Sequence, residues 1–140
     1  MADTAPTLKL TIDGAMKLLN AAMAKAREMN VPQCICVVDA GGQLLALARM
    51  DGAFALSIDT ALMKAKTAAS YGVPTGNIAA GIDLKLAIAT QGQRINLPGG
   101  LPVIVDGHVI GGIGIGSGTG EQDRQVADAA LAALAGAKRF

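Results

Sequence analysis

Hydrophobic and polar positions alternate with two different periods along this chain. Between residues 11 and 30, Ile12, Met16, Leu19, Met23 and Ala26 recur every three or four positions, the spacing that gathers one apolar stripe on a helix. Thr11 stands where an N-cap belongs, Asp13 suits the positive end of the helix dipole, and Asn30 before Val31-Pro32 marks the stop. Two apolar runs follow, QCICVVD (33–39) and QLLALARM (43–50). The short joint Ala40-Gly41-Gly42 between them predicts a β-hairpin. Helical spacing returns over 55–70, with Ile58, Ala61, Leu62, Ala65 and Ala68 on one stripe. Ser57, Thr60, Lys64 and Thr67 line another side, leading to Tyr71. Gly72-Val73-Pro74 breaks this helix, and Thr75 is read as the cap of a shorter helical stretch over 77–89. The polar QGQRINLPGG segment (91–100) holds a short strand at 94–97 by the same reading. LPVIVD (101–106) and VIGGIGIG (109–116) flank Asp106-Gly107-His108, the strongest hairpin signal in the chain. Finally, Thr119-x-x-Gln122 has the capping-box pattern and opens a helix carrying Val126, Ala130, Leu131 and Leu134.

This order predicts an α+β fold: a largely antiparallel, five-stranded sheet with helices packed on it. Residues 11–140 form one domain in this reading, and residues 1–10 are a flexible N-terminus.

Composition sharpens the picture. Hydrophobic residues make up 51% of the 140, yet there are two Phe, one Tyr and no Trp. The 27 alanines and 18 glycines, about a third of the chain, fill the gap, so the core must gain its contacts by close approach of backbones. Nucleic-acid modules that stack bases on exposed aromatics are excluded. A net charge of +1 leaves no electrostatic footprint for DNA, RNA or an anionic membrane. The same apolar, near-neutral balance predicts a homo-oligomer. No basic segment followed by an apolar run opens the chain, and no run of 18 apolar residues occurs. Neither a signal peptide nor a membrane span is expected, and the expected location is cytoplasmic. Cys34 and Cys36 share a strand face, where geometry disfavours a mutual disulfide. They read as reduced core thiols, because a C-x-C pair without further Cys or nearby His is a poor metal site.

Several features carry candidate chemistry. The glycines at 111, 112, 114, 116, 118 and 120 fit neither G-x-G-x-x-G nor a P-loop. With period two, Ile113 and Ile115 face one side of a strand while Gly112, Gly114 and Gly116 leave the other bare. A bare face admits a packed helix, a neighbouring subunit or a planar ligand. His108, the only histidine, sits at the predicted hairpin tip and reads as a solvated turn residue unless an oligomer interface brings a ligand to it. The polar stripe of the second helix is either a solvated face or part of a site. Lys64, Lys66, Arg49 and Arg94 are the cations available for ligand carboxylates, and Asp51, Glu121 and Asp123 the available acids or bases.

Taken together, D-x-G-G (39–42), R-M-D-G-A (49–53), K-A-x-T-A (64–68) and P-G-G-x-P-V (98–103) resemble the GlcG/HbpS-like haem-binding family. The same domain forms the C-terminal part of PduO-type proteins. The resemblance runs in order over residues 8–135. It implies a profilin-like α-β-α fold and a homo-oligomer of four or more subunits. It also implies haem as the cofactor, with degradation of haem as a related activity. On the matching positions, Asp51, Lys64 and Asp123 are the candidate catalytic residues. Arg49, Lys64, Thr67, Pro98, Gly99, Gly100, Gly114 and Gly116 are the candidate ligand-binding residues, with no metal site. Gly116-Ser117-Gly118-Thr119-Gly120 departs from the commoner V-S-G form and is similar to the diol- and glycerol-metabolism branch. Two other readings compete. One is an enzyme or accessory protein acting on a small carboxylate or diol-derived metabolite, and the other a structural oligomeric partner in a metabolic complex.

Overall fold

The computed structural model describes residues 2–140. The elements run α1 (Ile12–Glu28), β1 (Cys34–Asp39), β2 (Leu44–Arg49), α2 (Ser57–Tyr71), α3 (Asp83–Ala89), β3 (Gly100–Val105), β4 (His108–Gly116) and α4 (Gly120–Ala132). The strands form one antiparallel sheet in the order β2-β1-β4-β3. Helices α1 and α4 cover one face and α2 the other, which makes three layers, α-β-α.

The local signals act as their chemistry dictates. Thr11 caps α1 by accepting the Gly14 N–H at 3.0 Å. Thr119 and Gln122 form a complete capping box at α4. Asp106 and Gly107 both lie at positive φ, as the two-residue turn between β3 and β4 requires.

Two expectations are corrected. The sheet has four strands, not five, because residues 94–97 join no ladder. Side chains from elsewhere take up that segment's backbone groups. The Ile95 N–H donates to Thr67 Oγ1, and the Leu97 carbonyl accepts from Thr75 Oγ1. Asn96 uses both atoms of its amide to clip the backbone of Ile78. For the same reason Thr75 caps nothing: its hydroxyl is held between Leu97 and the Gly100 N–H. The helix predicted over 77–89 therefore shrinks to α3, seven residues long.

The glycine face of β4 lies under α2. Along β1, Cys34, Cys36 and Val38 pair with Gly116, Gly114 and Gly112, and the row faces Ala61, Ala65 and Ala69. A Cβ at Gly114 would fall onto the Ala61 carbonyl oxygen and 2.6 Å from the Ala65 nitrogen. Of the three occupants a bare strand face admits, α2 is the one present. Ile35, Val37, Ile113 and Ile115 point the other way, into the larger core with Leu18, Val126 and Leu131.

Candidate functional site

Lys64 projects from α2 among alanines and is 5% exposed; Asp123, from the first turn of α4, is 2% exposed. The Lys64 ammonium donates to Asp123 Oδ2 at 2.9 Å and to the Ile115 carbonyl at 2.7 Å. The second Asp123 oxygen accepts the Gly118 N–H at 3.0 Å. One buried pair thus ties α2, the end of β4 and the start of α4 together. Gly99 makes room for it: at φ +116, a Cβ there would sit 2.7 Å from Asp123 Cβ and 3.2 Å from Lys64 Nζ. Pro98 packs beneath the same helix start, against Gly120. Gly100 crosses the Lys64 carbonyl too closely for any side chain.

Other candidates lie elsewhere or serve the framework. Thr67 Oγ1 donates to the Met63 carbonyl and holds Ile95. Gly114 is under α2, and Gly116 lies against Ser57 and Thr60. Among the remaining cations, Lys66 is bound to Gln93 and Arg94 to Ser70. Arg49 and Asp51 meet at a different place, a cavity of about 310 Å³ lined also by Met23, Arg27, Ala48 and Met50. A smaller recess of about 160 Å³ shares Arg27 and Met50 with it, so one cleft runs between the C-terminal half of α1 and the end of β2. Arg49 pairs with Cys34, which faces α2, so Arg49 bounds the cleft from its rim, while Ala48 and Met50 belong to the α1 side. A third cavity, about 300 Å³, lies between α3 and residues 95–97. Asp83 at its edge has its carboxyl held below the usual range by the Leu84 N–H and then by the Asn96 amide.

Some residues here were not singled out from sequence. Gln33 is fully buried where β1 begins, and neither amide atom has a hydrogen-bond partner among the described residues. Its Nε2 lies beside Gly118. A glutamine leading an apolar strand run was the available signal. Ser117 adopts φ 91, donates to Ser57 Oγ at 2.6 Å and accepts the Phe54 N–H. Arg27 lies one turn beyond Met23 of the α1 apolar stripe, and nothing in the sequence marks that position as more than a helix face. The buried thiols influence each other. A hydrogen bond from Cys36 lowers the Cys34 pKa, against burial and with help from Arg49. The same contact and burial raise that of Cys36. No cluster of three or more metal-ligating side chains occurs among the described residues. No helix there is long and apolar enough to cross a membrane.

Comparison with known proteins places this geometry. A family model for haem degrading proteins of the HbpS-like type matches residues 10–132. An uncharacterised 15.0 kDa protein of the dhaT-dhaS intergenic region of Citrobacter freundii is 42% identical over 127 residues, covering 87% of this chain and 89% of the relative. The crystal structure of the Klebsiella pneumoniae protein ORFY superposes with a TM-score of 0.90 at 36% identity, over 96% of each chain. The haem complex of PduOC superposes with a TM-score of 0.87 at 30% identity, over 95% of this chain and 99% of that one.

Proposed function

This chain belongs to the HbpS-like family, related to PduO and GlcG, and from that premise we propose that it binds haem. The observation that supports the reading most directly is the PduOC relative solved as a haem complex on the same fold. The chain's own residues suit the group at one place. The cleft between α1 and β2 offers an apolar lining from Met23, Ala48 and Met50 beside the guanidinium of Arg27. At about 310 Å³ it is at the small end of organic-ligand pockets, so it takes an edge of a macrocycle and not the whole of it. His108 stands at the opposite end of β4 from Gly116, which neighbours Cys34 and, through it, Arg49. At 3.3 Å per residue that is about 26 Å along the strand. Histidine from the same subunit would therefore stand too far away to ligate the iron of a ring whose edge sat in this cleft. Bound haem would supply redox chemistry at its iron, and this chain's part is to bind and orient the ring.

Exposed Phe54, Leu56, Leu84 and Ile88, each 66–71% accessible, support a homo-oligomer that covers them. We take the cytoplasmic location and the link to diol or glycolate metabolism as parts of the same proposal. The test is a haemin titration of the purified protein, read by absorbance, with the mass in solution measured alongside. A saturable, shifted Soret band is expected, and no saturable shift overturns the haem reading. Adding a reductant in air then tests degradation: progressive bleaching of the bound haem supports it, and a stable spectrum opposes it.

A further inference from the structure

The cleft beside α1 has a chemical polarity that its lining residues make specific. Arg27 overhangs both of its recesses, and neither Arg27 nor Arg49 takes part in the ion pairs or side-chain hydrogen bonds of the described residues. The other arginines whose side chains bond do so elsewhere, Arg94 to Ser70 and Arg139 to Asp128. Met23, Ala48 and Met50 supply the apolar part of the lining beside that free guanidinium, and all three also pack on the main core, which fixes them in place. Asp51 is the one acid in the lining, and it is not ion-paired with either arginine. A free guanidinium beside an apolar wall matches a carboxylate carried on an apolar body.

We propose that this cleft is a carboxylate-anchoring site in which Arg27 binds the carboxylate, Met23, Ala48 and Met50 receive the apolar body, and Arg49 closes the rim. This rests on the haem reading: the carboxylate is a propionate of the macrocycle. A free short-chain carboxylate offers the same chemistry, and the experiment separates the two sources. Lys64 and Asp123 have no part in it, since their charged atoms are bound to each other and to backbone.

The probes are haemin, haemin dimethyl ester, in which both carboxylates are blocked, and hexanoate. Each is titrated into the wild-type protein and into Arg27→Gln, Arg49→Gln and Asp51→Asn. Arg27 is exposed and without side-chain partners, so Arg27→Gln should melt with the wild type when no ligand is present. The wild type is expected to hold haemin about tenfold more tightly than its ester, the effect of one charge-assisted hydrogen bond. Arg27→Gln should erase that difference. Arg49→Gln should lose less, and Asp51→Asn should gain affinity at low salt. If haemin and ester bind the wild type equally, the propionate source is wrong. The site then survives only if hexanoate raises the melting temperature in an Arg27-dependent way. If neither ligand responds to Arg27, the proposal is overturned. A wild type that binds no haemin at all defeats the haem reading instead, and the hexanoate arm still decides the site.

Discussion

Replacing Lys64 by methionine separates a structural role for this residue from a role in ligand binding. Methionine keeps most of the side-chain volume, so the variant removes charge without opening a large cavity. What remains is Asp123, 2% exposed, with Oδ1 on the Gly118 N–H and Oδ2 facing the vacated ammonium position. An ionised carboxylate stranded in that way costs about 3–5 kcal/mol. For a chain of this size, 1 kcal/mol moves the melting temperature by roughly 3–4 °C, so a fall on the order of 10 °C or more is expected. The double variant Lys64→Met/Asp123→Leu should recover most of the loss, because a buried pair replaced by apolar groups is close to neutral. Urea unfolding of the wild type, Lys64→Met, Asp123→Leu and the double variant gives the coupling energy directly, at about 2 kcal/mol or more. Haemin affinity measured well below each melting transition should be unchanged in the double variant. Should Lys64→Met melt within 3 °C or so of the wild type while losing haemin, the staple argument fails and Lys64 belongs to the ligand site.

Other consequences of the packing are checked more simply. Gly114→Ala would push a methyl group into the Ala61 carbonyl of α2. It should cost about 3 kcal/mol or more in urea unfolding, and a near-wild-type midpoint would show that α2 does not lie where described. Thr119→Ala removes the hydroxyl that accepts the Gln122 N–H at 3.2 Å. A loss of about 1 kcal/mol is expected at this cap, with Thr119→Ser restoring most of it. Cys34 and Cys36 are both fully buried and free. Although its neighbour lowers the Cys34 pKa, native protein should resist alkylation at pH 8, and both thiols should react once urea unfolds the chain. Rapid labelling of one thiol in the native state would contradict the burial.

The parts of the fold legible in the sequence are those whose causes are local. Thr11, the Asp106-Gly107 turn and the Thr119/Gln122 box each satisfy backbone groups within a few residues, so their chemistry is visible in a short window. The misread stretch is the one where distant side chains replace backbone partners. Residues 94–97 look like a strand by pattern, but Thr67 and Thr75 bind backbone groups that a neighbouring strand would need, and Asn96 spends its own amide on the backbone of Ile78. The candidate site divides in the same way. Lys64 and Asp123 are 59 positions apart, and no spacing rule joins them; only the topology brings the middle of α2 to the start of α4. Arg27 was hidden for the opposite reason. Its one-turn spacing from Met23 is ordinary on any helix, and the cleft exists only because α1 crosses beside β2.

The glycine-rich strand also determines where a planar ligand can go. A bare sheet face is the natural place for a flat ring, but here it is filled by α2, with Ala61, Ala65 and Ala69 pressed against Gly112 and Gly114. Small residues on both surfaces bring the layers close enough for Lys64 to reach the Ile115 carbonyl and Asp123 beyond it. Close packing and the buried ion pair therefore depend on each other, and together they leave no space for a macrocycle between helix and sheet. On the haem proposal the ring would bind outside the sandwich, and the α1/β2 cleft, at about 310 Å³, would take only one edge of it. The exposed remainder of the ring needs another apolar surface, and a second copy of this chain, rich in exposed apolar side chains, is the surface the oligomer proposal supplies. Binding stoichiometry and oligomeric state are accordingly coupled: dilution to monomer should weaken haemin binding, and an affinity independent of protein concentration would break that link.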